Sequence, residues 1–112
     1  MKYQVGQALF GKIQFTDGAT PQYPRPYLIV EITGDKIGVL NVSSVHGKEH
    51  KVLFATNRVL IKHFPPFPKG SFVKLDSLKY ITSKEADSMR LMENGAVLDS
   101  AELKGVIENI LR

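Results

Sequence analysis

The chain has 112 residues, a formal charge of +4 at pH 7 and no cysteine. That length supports one hydrophobic core and not two. The lack of cysteine excludes disulfides, thiolate nucleophiles and zinc–thiolate sites. With 43% hydrophobic and 23% charged residues, the composition is that of a globular protein, and a single domain over residues 1–112 is expected.

The opening stretch, Met1 to Gln7, has no apolar run after Lys2 and does not read as a secretory signal, so a cytoplasmic protein is expected. Val5 to Phe15 reads as a first strand with Ala8, Phe10, Ile13 and Phe15 as its apolar members. Gly11 interrupts it, which predicts a bulge or a close backbone approach. Residues 16–26 are a loop by their chemistry: Asp17-Gly18 favours a turn, and Pro21, Pro24 and Pro26 exclude a central strand. Tyr27 to Thr33 is almost continuously apolar and should be a buried strand. Its Tyr27-Leu28-Ile29-Val30 run is far short of the ~20 residues that cross a bilayer, so no membrane association is expected. Gly34-Asp35-Lys36 turns the chain and Ile37 to Val42 returns it as a hairpin.

Ser43 to Lys51 is polar and reads as a loop. Val52-Leu53-Phe54 and Val59-Leu60-Ile61 read as two short strands, and Phe64-Pro65-Pro66-Phe67-Pro68 as a rigid, non-helical crossing. Ser71 to Thr82 reads as one long strand, and Ser83 to Met92 as a short helix. At the end, Asp99 can cap a helix with Glu102 completing a capping-box pair. Leu103, Val106, Ile107, Ile110 and Leu111 then follow the spacing of one buried helical face. The fold class is therefore mainly β: a small closed or nearly closed β-barrel plus a C-terminal helix, the closure removing exposed strand edges.

Positive charge is concentrated in the middle of the chain. Residues 46–80 hold seven Lys/Arg against two acids, together with all three histidines, whereas residues 1–45 carry +1 and residues 81–112 carry −2. With a sequence pI near 9.4, this points to a polyanionic partner. There is no phosphate-binding loop, no dinucleotide fingerprint and no H-E-x-x-H zinc motif. His46 and His50 are four residues apart and would share a metal only on a helix, which Gly47 opposes; no metal and no cofactor are expected. What remains suits phosphodiester chemistry. Arg25 stays protonated at any working pH, its planar fork holds two phosphate oxygens at once, and Pro24 and Pro26 stiffen its backbone. Ser43 and Ser44 end a strand, and His46, His50 and His63 are candidate general acids.

A glycine-led first strand, an Arg-Pro opening an apolar strand (RPYLIVEIT) and a strand ending in a hydroxyl pair (VLNVSS) come in that order. A GSFVKLDSLKYI segment and a terminal helix follow, and the whole resembles the MazF/PemK toxins. The resemblance covers nearly the whole chain. It implies an SH3-like barrel, usually dimeric, acting as a metal-independent endoribonuclease on single-stranded RNA such as mRNA. It also implies a cognate antitoxin whose tail occupies the RNA groove. On that likeness Arg25 corresponds to the catalytic arginine, and Ser43 or Ser44 to the strand-end hydroxyl. The implied reaction is attack of the RNA 2′-OH on the adjacent phosphate, with Arg25 stabilising the developing charge. Lys79, Lys48, Lys74, His46 and Tyr23 are the residues expected to hold RNA, with Tyr23 and Phe64 or Phe67 as candidate stacking platforms. The segment Asp17–Gln22 is a candidate wall of the groove. The chain departs from the family where Asp76 to Thr82 replaces an E-Q-I-R-T-I-D-like segment: Lys79 stands for an arginine, and the last acid is gone. The alternative is an SH3-like barrel that binds RNA or a protein and has lost turnover, or an unrelated adaptor barrel.

Overall fold

Two long neighbouring strands carry the architecture. The computed structural model describes residues 2–13 and 22–112. In it β2 (Arg25–Thr33) and β3 (Lys36–Ser44) form an antiparallel hairpin through a turn at Gly34-Asp35, where Gly34 takes φ +59°, a conformation that glycine adopts without strain. Side chains alternate across a strand. Leu28, Val30, Leu40 and Val42 therefore enter one apolar cluster, while Tyr27, Ile29, Ile37 and Val39 enter another on the opposite face. Both faces of the hairpin are covered, which explains its nearly continuous apolar sequence. A register shift between Ile29 and Glu31 marks a bulge.

The remaining strands add to this pair. β1 (Ala8–Gly11) lies beside β2, and β7 (Arg90–Leu91) beside β1; β5 (Ser71–Lys74) lies beside β3, and β4 (Asn57–Val59) beside β5. β6 (Lys79–Thr82) also pairs with β3, along Lys36 to Val39, while β5 pairs with Val42 to Ser44. The seven strands thus form one antiparallel sheet running from β4 to β7, with β6 off the main path. Two short helices, α1 (Ser83–Asp87) and α2 (Ser100–Glu108), pack on it. The radius of gyration is 13.0 Å, the ~13 Å of a compact chain of this size. No helix among the described residues is long and apolar enough to cross a membrane.

Several elements differ from the sequence expectation. β1 covers only Ala8–Gly11. Val5-Gly6 is instead a turn, with Gly6 at φ +100° donating to Ile29 O at 2.8 Å and accepting from Leu98 N at 2.9 Å. Gly11 makes a close approach: a Cβ there would lie 2.8 Å from Met89 Cγ. The expected strand residues Gln14 and Phe15 lie outside the described residues. β2 starts at Arg25, two residues early, and β3 runs on through Ser44 into the expected loop. Val52-Leu53-Phe54 is not a strand but the end of a 3-10 helix spanning Glu49–Leu53, and Leu53 is 84% exposed. β4 falls on Asn57–Val59, shifted into the expected turn.

The long strand over 71–82 is broken in two. At the break the Ser77 hydroxyl accepts from Asn41 N at 2.8 Å and donates to Lys74 O at 2.6 Å, standing in for the missing ladder bonds.

The helices show where sequence signals misdirect. The capping box belongs to α1, where Glu85 N donates to Thr82 Oγ1 (3.1 Å) and Thr82 N to Glu85 Oε1 (3.0 Å). Asp99 caps α2 as expected, accepting from Ala101 N and Glu102 N at 3.1 Å each. Glu102 instead accepts from Ile61 N (3.0 Å) and Lys62 N (3.3 Å), tying the helix to the chain after β4. α2 docks through Leu103 and Val106 and leaves Ile107 exposed; past its end Ile110 packs on the same cluster and Leu111 is exposed.

Candidate nucleic-acid interface

β2 begins between two prolines, and Arg25 is held further by pairing with Gly11 of β1. Across the hairpin Tyr27 faces Asn41, the last pair of the β2–β3 ladder, and Arg25 and Ser43 each lie two residues beyond it at the same end of the sheet. Ser43 in turn faces Phe72 of β5, and Lys74 lies two residues further along that strand. By alternation Arg25, Tyr27, Asn41, Ser43 and Lys74 leave the same face of the sheet. Lys79 of β6 reaches the same place, its Nζ lying 5.5 Å from the centre of the Tyr27 ring. From the loop after β3, Lys48 folds back and donates from Nζ to Ser43 Oγ at 2.9 Å.

The electrostatics mark this face as a cationic surface, the candidate RNA trough. Burial lowers the Lys74 pKa, and the charges of Lys51, Lys48 and Arg25 lower it further, with Asp76 alone opposing. Four positive side chains therefore share one small region. Among the described residues none of the four has a carboxylate within 4.0 Å. Burial also lowers the Lys79 pKa. It raises that of Tyr27, against the opposing influence of the Arg25 charge and a backbone hydrogen bond from Ile13. Clustered like charges destabilise a folded chain unless an anion neutralises them, and this arrangement is suited to successive phosphates of a single strand.

Comparison with models of known protein families and with curated protein sequences finds no match to this chain.

Of the residues singled out from sequence, Arg25, Ser43, Lys48, Lys74 and Lys79 come together in the trough. Ser44 does not. As the next residue along β3 it leaves the opposite face, where its Oγ accepts from His46 N at 3.3 Å. His46 is exposed in the loop, and Tyr23 is 66% exposed just before β2. Phe67 is 1% exposed and belongs to the core, outside the trough; Phe64 is exposed beside Ile61, Lys62 and Val97. His63 Nδ1 lies 2.6 Å from Phe67 O, and His50 meets the Phe54 ring edge-on. Among the described residues no group of three or more His, Asp or Glu side chains is placed to hold a metal ion. Residues 17–21 of the expected groove wall lie outside the described residues.

Sequence reasoning misses two residues of this face, Lys51 and Asn41. Lys51 reads there only as loop charge, whereas Tyr27 is the core residue that its sequence predicts. Asn41 was passed over as a strand residue, yet its Oδ1 is buried with no hydrogen-bond donor among the described residues. Counting back from Gly34-Asp35 would have set Val42 against Tyr27; the bulge between Ile29 and Glu31 shifts the partner by one residue to Asn41, and nothing in the local sequence announces that bulge.

Proposed function

We propose that this chain is a metal-independent endoribonuclease of toxin–antitoxin type, an SH3-like barrel of the MazF/PemK kind that cleaves single-stranded RNA. The observation that carries the reading is that Arg25, Lys48 and Lys51 lie near enough to Lys74 to add to the lowering of its pKa by burial, while Lys48 holds the Ser43 hydroxyl. The order of motifs along the chain supports it independently.

In the proposed reaction the ribose 2′-oxygen attacks the adjacent phosphorus. The P–O2′ bond forms and the P–O5′ bond breaks, leaving a 2′,3′-cyclic phosphate and a 5′-hydroxyl. The 2′-OH proton passes to water, and the departing O5′ takes up a proton. Arg25 neutralises charge gathering on the non-bridging oxygens with its two-pronged donor set. Ser43, kept in place by Lys48, positions the phosphate or the 2′-OH. Lys74, which leaves the same face of the sheet, adds positive charge beside the phosphate, and the O5′ proton comes from water. An antitoxin tail that silences the enzyme would compete with RNA for the same trough, and two copies of the chain would form the working dimer. Incubating long RNA in EDTA with wild-type and Arg25→Ala protein tests the reading.

One observation favours a second reading, an RNA-binding barrel without turnover: Ser44 faces away, and Ser43 Oγ is already engaged by Lys48. That reading predicts salt-sensitive binding with no products.

A further inference from the structure

The end of the sheet where β2 begins and β3 finishes carries a feature that the trough does not use. Pro26 and Ser44 each follow a trough residue by one position, so they leave the opposite face. There, with Phe10, Ser71, Lys69 and Met92, they line a cavity of about 240 Å³. Strand pairing builds its walls, since Phe10 faces Pro26 and Ser44 faces Ser71. The walls are mainly apolar, with Phe10, Pro26, Phe67, Pro68 and Met92 among them, and the Arg90 guanidinium lies 5.3 Å from the centre of the Phe10 ring.

The polar atoms there form a defined set. Ser44 Oγ already accepts from His46 N, so its own hydrogen is left to donate. The Ser71 hydroxyl donates to Lys69 O at 2.7 Å, so its oxygen is left to accept. The Lys69 ammonium makes no ion pair among the described residues.

We propose that this cavity is a nucleobase pocket that seats the base next to the phosphate held by Arg25. It favours an edge with an exocyclic carbonyl beside a ring N–H, as in uracil and guanine. The inference rests on the RNA-binding reading of the trough and adds a specificity site to it. β2 begins at Arg25 and β3 ends at Ser44, so an RNA strand that passes over this end of the sheet can leave its phosphate on the Arg25 face and turn the neighbouring base into the cavity on the other. A flat base gains stacking on Phe10 and Met92. Its carbonyl accepts from Ser44 and Lys69 while its N–H donates to Ser71. An aromatic side chain from a protein partner fits less well. A phenyl ring offers no acceptor and an indole offers only a donor, so both would leave the Ser44 and Lys69 donors unmet.

The test uses the whole chain with 2′-O-methyl hexanucleotides, which cannot be cut by 2′-OH attack, and follows the Met92 methyl resonance by NMR. The U hexamer should bind about tenfold more tightly than the A hexamer, the factor that one well-made hydrogen bond supplies, and should shift the Met92 methyl. Lys69→Ala, an exposed position, should bring the two affinities within about twofold. Met92→Trp, which fills the cavity, should remove the preference while salt-dependent binding persists. Equal affinities with an unmoved Met92 resonance overturn the pocket and leave the trough standing. Failure of both hexamers to bind overturns both. A Met92 shift with N-acetyl-tryptophanamide but not with uridine monophosphate overturns the pocket in favour of a protein partner.

Discussion

Salt should weaken RNA binding by an amount that the trough sets. Arg25, Lys48, Lys51 and Lys74 lie close enough to act on one titration, and each phosphate they neutralise releases condensed counterion from the strand. For a single strand the slope of log affinity against log salt is about −0.7 per phosphate contact, so four contacts give about −2.8. Raising salt from about 50 to 200 mM should then weaken binding about fifty-fold. Lys74→Gln should flatten the slope to about −2.1 and reduce the same loss to roughly twenty-fold. Lys62 pairs with Asp99 at 4.0 Å, outside the trough, and Lys62→Gln should leave the slope unchanged. Fluorescence anisotropy with a labelled 2′-O-methyl oligonucleotide reads all three proteins without interference from cleavage. A slope near zero, or equal flattening by the two substitutions, would refute the claim that these four side chains form one anion-binding surface.

Three further outcomes follow from local physics. Because burial and like charges lower the Lys74 pKa in the folded state, the unfolded chain binds more protons between the two pKa values. Stability in the absence of RNA should therefore rise with pH as the ordinary lysine range is approached, and Lys74→Met should remove that rise and make the neutral-pH fold more stable; urea titrations across pH measure both. Thr82→Ala breaks the capping box of α1 and should cost about 1 kcal/mol by the same titration, with RNA binding unchanged. Gly6→Ala meets a φ of +100° and a Val97 methyl 2.5 Å from the new Cβ, and should cost about 2 kcal/mol, lowering the melting temperature by roughly 8 °C in calorimetry.

The parts of the fold that were legible are those fixed by local chemistry. The β2–β3 hairpin follows from an apolar run, a Gly-Asp turn and a second run, and the Asp99 cap follows from a side chain meeting its own helix. What was hidden depended on partners distant in sequence. Leu53 and Phe54 have strand propensity but no neighbour to pair with, so they end a 3-10 helix instead. The 71–82 strand breaks because the Ser77 hydroxyl captures Asn41 N, a contact across 36 residues. Glu102 was read as a cap, yet the chain after β4 lies within its reach. Leu111 falls beyond the last turn of α2, where helical spacing no longer applies.

The trough divides the same way. The extended backbone of Arg25 was readable from its two flanking prolines, and the basic middle third was plain from charge counting. The grouping of Lys48, Lys51 and Lys74 with Arg25 was not, because three different elements deliver them. The choice between Ser43 and Ser44 needed the register, since one step along a strand changes the face.

Cleavage of long RNA in EDTA, comparing wild type with Arg25→Ala and mapping the new ends, tests the central claim most directly. The account predicts 2′,3′-cyclic phosphate and 5′-hydroxyl ends from the wild type. It also predicts a loss of about a hundredfold or more in rate for Arg25→Ala with an unchanged circular dichroism spectrum. Intact RNA with a folded wild-type protein, or equal cutting by both proteins, would contradict it.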